Sequence, residues 1–315
     1  MGHRVTIAGG TSTVAQGLSE RLKDGFTVRR VSERLAPSES TWPADLTSIS
    51  EAEVACANTQ TLVVLARTAR DARRFRGLTD DVDRLIADSL ARAAQRCGVQ
   101  HLVLFACGAP GEDAREPLLR ASGIPTTVLR GGGPDPVERL DAIVRRGPGA
   151  DVEGEAWTAT STRSTGPLPG FTSVQRFARP AGWSSSQLSQ TYFRWLGAEI
   201  PSVRVTSSAD AETIYFLGVK VLVLRRLNGQ SEPDTSVWEV VGGALARPGG
   251  CLELRTLLDG ASVSMHLRGF RPRLPGALYS LTQAQLHERL IRRFGEWLTQ
   301  QPRPLGDTRA SPSAR

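Results

Sequence analysis

The residues best suited to chemistry stand near the amino terminus, at positions 9–15 (GGTSTVA). An apolar run at residues 5–8 precedes them, and Val14, Leu18 and Leu22 recur every four residues after them. Such spacing places three apolar side chains on one face of a helix. The pattern predicts a strand, a tight turn at Gly9 and a helix. Glycines in such a turn let the backbone approach a phosphate at the amino end of the helix.

A second chemical signal follows the next predicted strand, residues 26–31. There Ser32, Glu33 and Arg34 stand together. In dinucleotide-binding folds an acid at this place binds the ribose 2′-hydroxyl of NAD, whereas an arginine accepts the 2′-phosphate of NADP. Both residue types are present, so the sequence leaves NAD and NADP open.

Strands and helices alternate through the first half of the chain. Continuous apolar runs at residues 61–66 and 102–105 are typical of parallel strands that are covered on both faces. A long helix around residues 82–94 ends at Gly98, and a short one at 116–122 ends at Gly123 before a β-branched strand at 126–129. This order predicts an α/β fold, a doubly wound parallel Rossmann sheet whose ligands lie at the carboxyl ends of its strands.

Five segments carry a family resemblance over residues 4–133. They are VTIAGGTSTVAQGL, ADL at 44–46, TLVVLA, GVQHLVLFA and LLRASGIPTTVLR. In this order they resemble the signature segments of NmrA-like atypical short-chain dehydrogenase/reductases. The family's G-x-x-G-x-x-G loop falls here on Gly9, Ser12 and Ala15, so only the turn glycine is kept. Ser12 could still offer its N–H and hydroxyl to a phosphate; a Rossmann scaffold that no longer holds a cofactor is the alternative.

The resemblance implies an NAD or NADP site, with Asp45 and Leu46 against the adenine; for Asp45, a surface turn is the alternative. The residues so implied are Gly9, Thr11, Ser12, Thr13, Val14, Glu33, Arg34, Asp45, Leu46 and Ala66.

The usual proton relay of the superfamily does not carry over. Its tyrosine, lysine and serine are not in place, because Ala106 and Cys107 stand in the serine region and residues 108–115 contain neither Tyr nor Lys. Cys107, after a strand, is a candidate nucleophile, and a buried thiol is the alternative. The four cysteines are widely spaced and no histidines cluster, so we expect no metal site.

The second half of the chain differs from the first in composition and in its predicted secondary structure. Residues 131–170 are rich in Gly, Pro, Ser and Thr, with one short helix expected at 137–144. Antiparallel strands are predicted at 204–206, 213–217, 219–224, 237–241, 251–258 and 262–270, after a helix at 186–196. The last helix has capping-box spacing at Thr282 and Gln285 and an expected apolar stripe of Leu286, Leu290, Phe294, Trp297 and Leu298.

This second half resembles the helix-grip fold of Bet v 1-like and START-like proteins, which implies an apolar small-molecule ligand. In NmrA-like relatives the region after the TTVLR strand lines the substrate cleft, which implies that Trp157 and Arg163 face the cofactor site; a plain linker is the alternative. We therefore predict a Rossmann-like domain at 1–135, a linker or cleft segment at 136–170, a helix-grip-like domain at 171–300 and a disordered tail at 301–315.

Charge and hydropathy limit the classes of partner that we expect for this chain. The chain has 39 Lys and Arg, 32 Asp and Glu, and a formal charge of +7. Its arginines are scattered, and the dense groups at 70–76 and 289–293 lack interleaved aromatics, which argues against nucleic acid. No apolar run reaches the roughly 20 residues of a membrane span, so we expect a cytoplasmic protein. The oligomeric state is left open.

Two functions remain open, and a purely structural partner-binding role stays as a third. The first is an atypical NAD(P)-dependent oxidoreductase or isomerase that acts on an apolar small molecule. The second is a non-catalytic dinucleotide or ligand sensor with a degenerate short-chain dehydrogenase/reductase site.

Overall fold

The computed structural model describes residues 2–66, 75–76, 79–106, 111–131, 135–153, 171–273 and 283–301. These residues form two compact units. The first contains residues 2–66 and 79–153, and the second contains residues 75–76 and 171–301. Cys107, Trp157, Arg163, Thr282 and the tail from residue 302 lie outside the described residues.

The first unit is built on six parallel strands. They are β1 (Arg4–Ala8), β2 (Thr27–Val31), β3 (Thr41–Trp42), β4 (Thr61–Val64), β6 (His101–Ala106) and β7 (Thr126–Arg130). Their order across the sheet is β3-β2-β1-β4-β6-β7. The order therefore reverses between β1 and β4, and the predicted doubly wound parallel sheet is confirmed.

Helices connect these strands. They are α1 (Thr13–Leu22), α2 (Ile49–Cys56), α3 (Thr79–Cys97), α4 (Glu116–Ala121) and α5 (Pro136–Arg146). Every residue of β4 and β6 is buried, as the continuous apolar runs predict for strands covered on both faces. Helices α1 and α5 pack against each other beside the core around Ile7, Val63 and Val103. Gly17 allows this close approach, because a Cβ there would lie 3.2 Å from Val137.

The second unit contains an eight-stranded sheet in the order β5-β8-β14-β13-β12-β11-β10-β9. Its strands are β5 (Phe75–Arg76), β8 (Phe171–Ala178), β9 (Val203–Ser207), β10 (Ala211–Phe216), β11 (Val219–Arg226), β12 (Thr235–Gly242), β13 (Cys251–Thr256) and β14 (Ser262–Phe270). All neighbours are antiparallel except β5, which pairs in parallel with β8. The six expected strands are confirmed, and the sequence prediction lacked β5 and β8.

Two helices, α6 (Ser185–Glu199) and α7 (Gln283–Thr299), pack on one face of this sheet. Aromatic rings of the two helices and of β12 form a continuous layer: the ring centroids of Phe193 and Trp238 are 5.0 Å apart, and those of Tyr192 and Phe294 are 5.1 Å apart. Edge-to-face contacts at such distances stabilise beyond simple burial. The layer between helices and sheet is thus packed with side chains.

The predicted apolar stripe of α7 is confirmed at Leu290, Phe294, Trp297 and Leu298 and is wrong at Leu286. Leu286 is 57% exposed, whereas Ile291, Phe294 and Leu298 are buried and Leu290 packs beside them. Within this stripe, the ring of Phe294 contacts the ring of Phe177 on β8.

Candidate functional site

The candidate site lies where the strand order of the parallel sheet reverses. A crevice forms at such a point, at the carboxyl ends of the strands, because the chain leaves neighbouring strands in opposite directions. The loop after β1 is fixed there, since the N–H groups of Gly9 and Gly10 both donate to the Val31 carbonyl at 3.0 Å. The loop after β4 is fixed beside it, since Leu65 N–H donates to the Ala8 carbonyl at 2.9 Å.

Gly9 is required by both conformation and space. Its φ is +94°, and a Cβ on it would lie 2.6 Å from the backbone nitrogen of Ala66. Any side chain would therefore push the loops after β1 and β4 apart. The structure brings Gly9 and Ala66, two residues implied by the resemblance, into direct contact.

Ser12 caps the helix that begins beyond this turn. Its hydroxyl accepts a hydrogen bond from Ala15 N–H at 3.1 Å and donates to the Gly9 carbonyl at 3.3 Å. Its own N–H also donates to Gly9. In this conformation the hydroxyl oxygen of Ser12 caps α1 as an acceptor, and both of its donors bind the Gly9 carbonyl.

The next two residues present the amino end of α1. The N–H groups of Thr13 and Val14 lie in the first turn, where a helix supplies no acceptor of its own. The described part of the chain supplies none either. Thr13 is exposed and Val14 is buried, so the accessible edge of this turn is that of Thr13. The helix dipole adds a partial positive charge here.

The turn after β2 lies against the glycine loop. Leu35 N–H donates to the Ser32 carbonyl at 3.2 Å, which closes the turn that carries Glu33 and Arg34. A Cβ on Gly10 would lie 2.9 Å from Leu35 Cδ1, so turn and loop are in contact. Glu33 is half-buried and Arg34 is exposed. The structure thus holds the turn that carries Glu33 and Arg34, the two residues expected to distinguish NAD from NADP, beside the loop.

Asp45 and Leu46 lie in the turn that precedes α2. The Asp45 carboxylate accepts hydrogen bonds from the N–H and the hydroxyl of Thr47, at 3.0 and 2.6 Å. Asp45 N–H donates to Glu51 Oε2 at 2.7 Å, and Leu46 is buried. This geometry matches the alternative of a turn acid for Asp45.

A buried ion pair that sequence reasoning missed lies between β6 and α4. Arg115 is fully buried, and its guanidinium donates to both carboxylate oxygens of Asp113 at 2.9 and 2.6 Å. It also donates to the carbonyls of Ala66 and Phe105 at 3.0 and 2.8 Å. One side chain therefore holds the exits of β4 and β6 together. In the sequence, a pair of charges two residues apart has the pattern of a surface turn.

A second ion pair lies at the end of β7. Arg130 Nη2 donates to both carboxylate oxygens of Glu116 at 2.7 Å, and Arg120 Nε donates to the same carboxylate at 2.9 Å. Arg130 is 5% exposed. The described residues at the ends of β6 and β7 thus form buried ion pairs, and of these two pairs the one of Arg115 also binds backbone carbonyls.

The described cysteines are poor nucleophiles. Burial raises the pKa of Cys56 to about 12, and it also raises the pKa of Cys97 and of Cys251. A thiol with a raised pKa carries little thiolate at neutral pH. Within the described ranges no group of His, Cys, Asp and Glu could hold a metal ion, and no helix there is long and apolar enough to cross a membrane.

No known family profile matches the chain, and no curated protein matches it. Among solved structures, the Bordetella bronchiseptica enzyme WbmH in complex with NAD+ matches 42% of this chain and 56% of its own, at 14% identity and a TM-score of 0.34. The UDP-N-acetylglucosamine 4-epimerase from Bacillus cereus matches 42% and 60%, at 15% identity and a TM-score of 0.33.

A mutated uronate dehydrogenase matches 52% of this chain and 76% of its own, at 16% identity and a TM-score of 0.40. The chain thus spans little more than half the length of WbmH. With TM-scores this low, the Rossmann assignment rests on the strand order of this chain itself.

Proposed function

We propose that the first unit binds a nicotinamide dinucleotide, NAD or NADP, with the pyrophosphate at the amino end of α1. The observation that carries this proposal is the glycine turn at the strand-order reversal, where Gly9 adopts a φ of +94° against the backbone of Ala66. The N–H groups of Thr13 and Val14 lie beside it as donors. A dinucleotide pyrophosphate needs such a turn and such donors.

The proposed activity is that of an atypical oxidoreductase or isomerase, as the NmrA-like resemblance implies. A bound nicotinamide would supply a hydride acceptor or donor. The chain's own part is to fix the loops after β1, β2 and β4 around the dinucleotide, which the bonds of Gly9, Gly10 and Arg115 do.

For the second unit we propose a helix-grip-like fold that prefers an apolar small molecule. Its antiparallel sheet, with the carboxyl-terminal helix α7 on one face, supports this likeness. The aromatic layer under α6 and α7 supports the apolar preference. Because those rings already touch, a ligand in that layer has to displace ring contacts.

One observation favours the second candidate, a non-catalytic dinucleotide sensor. Between β6 and α4, Asp113 and Arg115 are buried and bonded to each other and to the backbone, so they hold structure rather than move protons. Residues 108–115 also contain neither Tyr nor Lys. If a cofactor binds, turnover across a panel of apolar ketones and alcohols distinguishes the enzyme from the sensor.

The binding test uses opposite effects of one substitution. Thr13→Glu places an acid at an exposed first-turn position, which stabilises α1 by about 0.3–1 kcal/mol through the helix dipole. The same charge repels a pyrophosphate, and we expect at least a tenfold loss of NAD(P) affinity, because one charge pair at contact contributes about 1–4 kcal/mol near a protein surface. Titration with NAD(H) and NADP(H), followed by tryptophan fluorescence and melting temperature, measures both effects.

Gln187→Glu is the matched control. Gln187 is exposed and forms the capping box at the start of α6, in the other unit, and Glu keeps that box. It should leave the affinity unchanged. If the wild-type protein binds no cofactor at millimolar concentration, or Thr13→Glu binds as tightly as wild type, the proposed site is wrong. Gly9→Arg is unsuitable here because it would also disturb the fold.

The choice between NAD and NADP can be read from two further variants. If Arg34 accepts the 2′-phosphate, Arg34→Ala weakens NADP alone. If Glu33 binds the 2′-hydroxyl, Glu33→Ala weakens NAD alone.

A further inference from the structure

The hairpin between β10 and β11 has an unusual tip. Phe216 pairs with Val219, so Leu217 and Gly218 form a two-residue turn. Their φ angles are +49° and +80°. Two-residue turns with both φ values positive favour Asn-Gly, because a bulky side chain is strained in this conformation. Here the first position holds a leucine that is 70% exposed.

More exposed apolar side chains surround this tip. Phe216 and Val219, which flank the turn directly, are 47% and 55% exposed. Leu245 is also exposed. It lies beside β11, because its backbone N–H donates to the Val221 carbonyl at 3.1 Å. Local strain and exposed apolar area together make this tip costly in water.

Cations surround the same end of the sheet. Tyr215 pairs with Arg204 on one side and Lys220 on the other, and the Arg204 guanidinium lies 4.7 Å from the Tyr215 ring centre. Beside Leu245, Arg273 donates from Nε to the Gly243 carbonyl at 2.9 Å. The segments that form this end are 201–204, 215–221, 243–248 and 271–273. They contain Arg204, Lys220, Arg247, Arg271 and Arg273, and no Asp or Glu.

We propose that this end of the second unit docks on an anionic lipid surface, with Leu217 and its flanking apolar residues in the headgroup region. Apolar side chains gain from leaving water at that boundary, and nearby Lys and Arg are attracted to anionic headgroups. A second copy of the chain fits less well, since a twofold contact through this patch would oppose its own cations.

The test is co-sedimentation of the full chain with phosphatidylcholine vesicles, with or without about one third phosphatidylglycerol. We expect binding to the anionic vesicles and little to the neutral ones. Leu217→Asn should weaken that binding at least tenfold, because it removes one large apolar side chain from the contact. The same change should raise the melting temperature, because Asn is favoured at this turn position. Lys220→Gln should weaken binding about fivefold.

Val54→Asn is the matched control, because Val54 is a comparably exposed apolar residue (51%) on α2 of the first unit. It should bind vesicles as the wild type does. The proposal is overturned if the wild-type chain does not bind anionic vesicles, or if Leu217→Asn binds as well as wild type. A change in sedimentation mass without vesicles in Leu217→Asn would also overturn it, because the tip would then be a contact between copies.

Discussion

Arg115→Met is the sharpest test of how the candidate site is held. The substitution keeps a long apolar stem but removes the guanidinium that donates to Asp113, to Ala66 and to Phe105. Asp113, 4% exposed, then stays buried without the charge of Arg115. The exits of β4 and β6 lose the side chain that joins them.

The size of the effect follows from the burial of the pair. Removing one partner of a buried ion pair costs about 3–5 kcal/mol, because the remaining charge loses an opposite charge in a medium of low polarity. A typical domain is stable by only about 5–15 kcal/mol. We therefore expect Arg115→Met to lower the free energy of unfolding of the first unit by about 3 kcal/mol or more.

A double substitution separates charge from backbone contacts. The double variant with Asp113→Asn and Arg115→Met removes both charges. It keeps a side-chain oxygen at residue 113 as the acceptor for the backbone N–H of residue 115, which donates to Asp113 Oδ1 at 3.0 Å in the wild type. We expect the double variant to recover part of the loss. The double variant should not recover the whole loss of stability, because the carbonyls of Ala66 and Phe105 still lose the bond from Arg115. Each lost hydrogen bond costs about 1–3 kcal/mol.

Urea unfolding followed by circular dichroism, fitted with one transition for each unit, measures these changes. Arg292→Met is the control, since Arg292 and Glu288 form an exposed pair on α7 that should contribute at most about 1 kcal/mol. A loss below about 1 kcal/mol in Arg115→Met would refute the structural role that we assign to this pair.

Two further predictions concern Gly9 and His101. Gly9→Ala should destabilise the first unit more than Gly98→Ala in urea unfolding, because both have positive φ but only a Cβ on Gly9 meets backbone within 3 Å; equal losses would mean that only φ matters. Burial lowers the pKa of His101 to about 4, against about 6.5 when unfolded, so the native state binds fewer protons between these values. The free energy of unfolding should therefore fall as pH drops from 6.5 to 4, by up to about 3 kcal/mol, and His101→Gln should flatten this slope; a slope equal to wild type would contradict the assignment.

The sequence predicted the elements whose apolar residues stand out clearly from their polar neighbours. β4 and β6 are continuous apolar runs, and both are buried along their length. Helix α2 was not predicted because its buried residues are Ala52, Ala55 and Cys56, which are small and produce little periodic contrast. β3 and β5, of two residues each, are too short for any periodicity.

The candidate site was predicted in part. Gly9 could be identified because a turn with positive φ between a strand and a helix selects glycine. The pair of Asp113 and Arg115 could not be identified, because only the folded chain shows that the carbonyls of Ala66 and Phe105 come close enough to bind one guanidinium. The same limit applies to Leu217, whose exposure becomes visible only once the hairpin register is known.

The short strand β5 determines how the chain can be divided. Residues 75–76 join the second sheet beside β8, yet the chain then returns to the first unit for α3. A single cut between residues 153 and 171 therefore leaves β5 on the amino-terminal fragment, where only its pairing with β8 joins it to the rest of the second sheet. A fragment that starts at residue 171 would lack this strand and leave the β8 edge open, and open edges invite pairing with another chain. Any attempt to express the second unit alone must supply that missing strand.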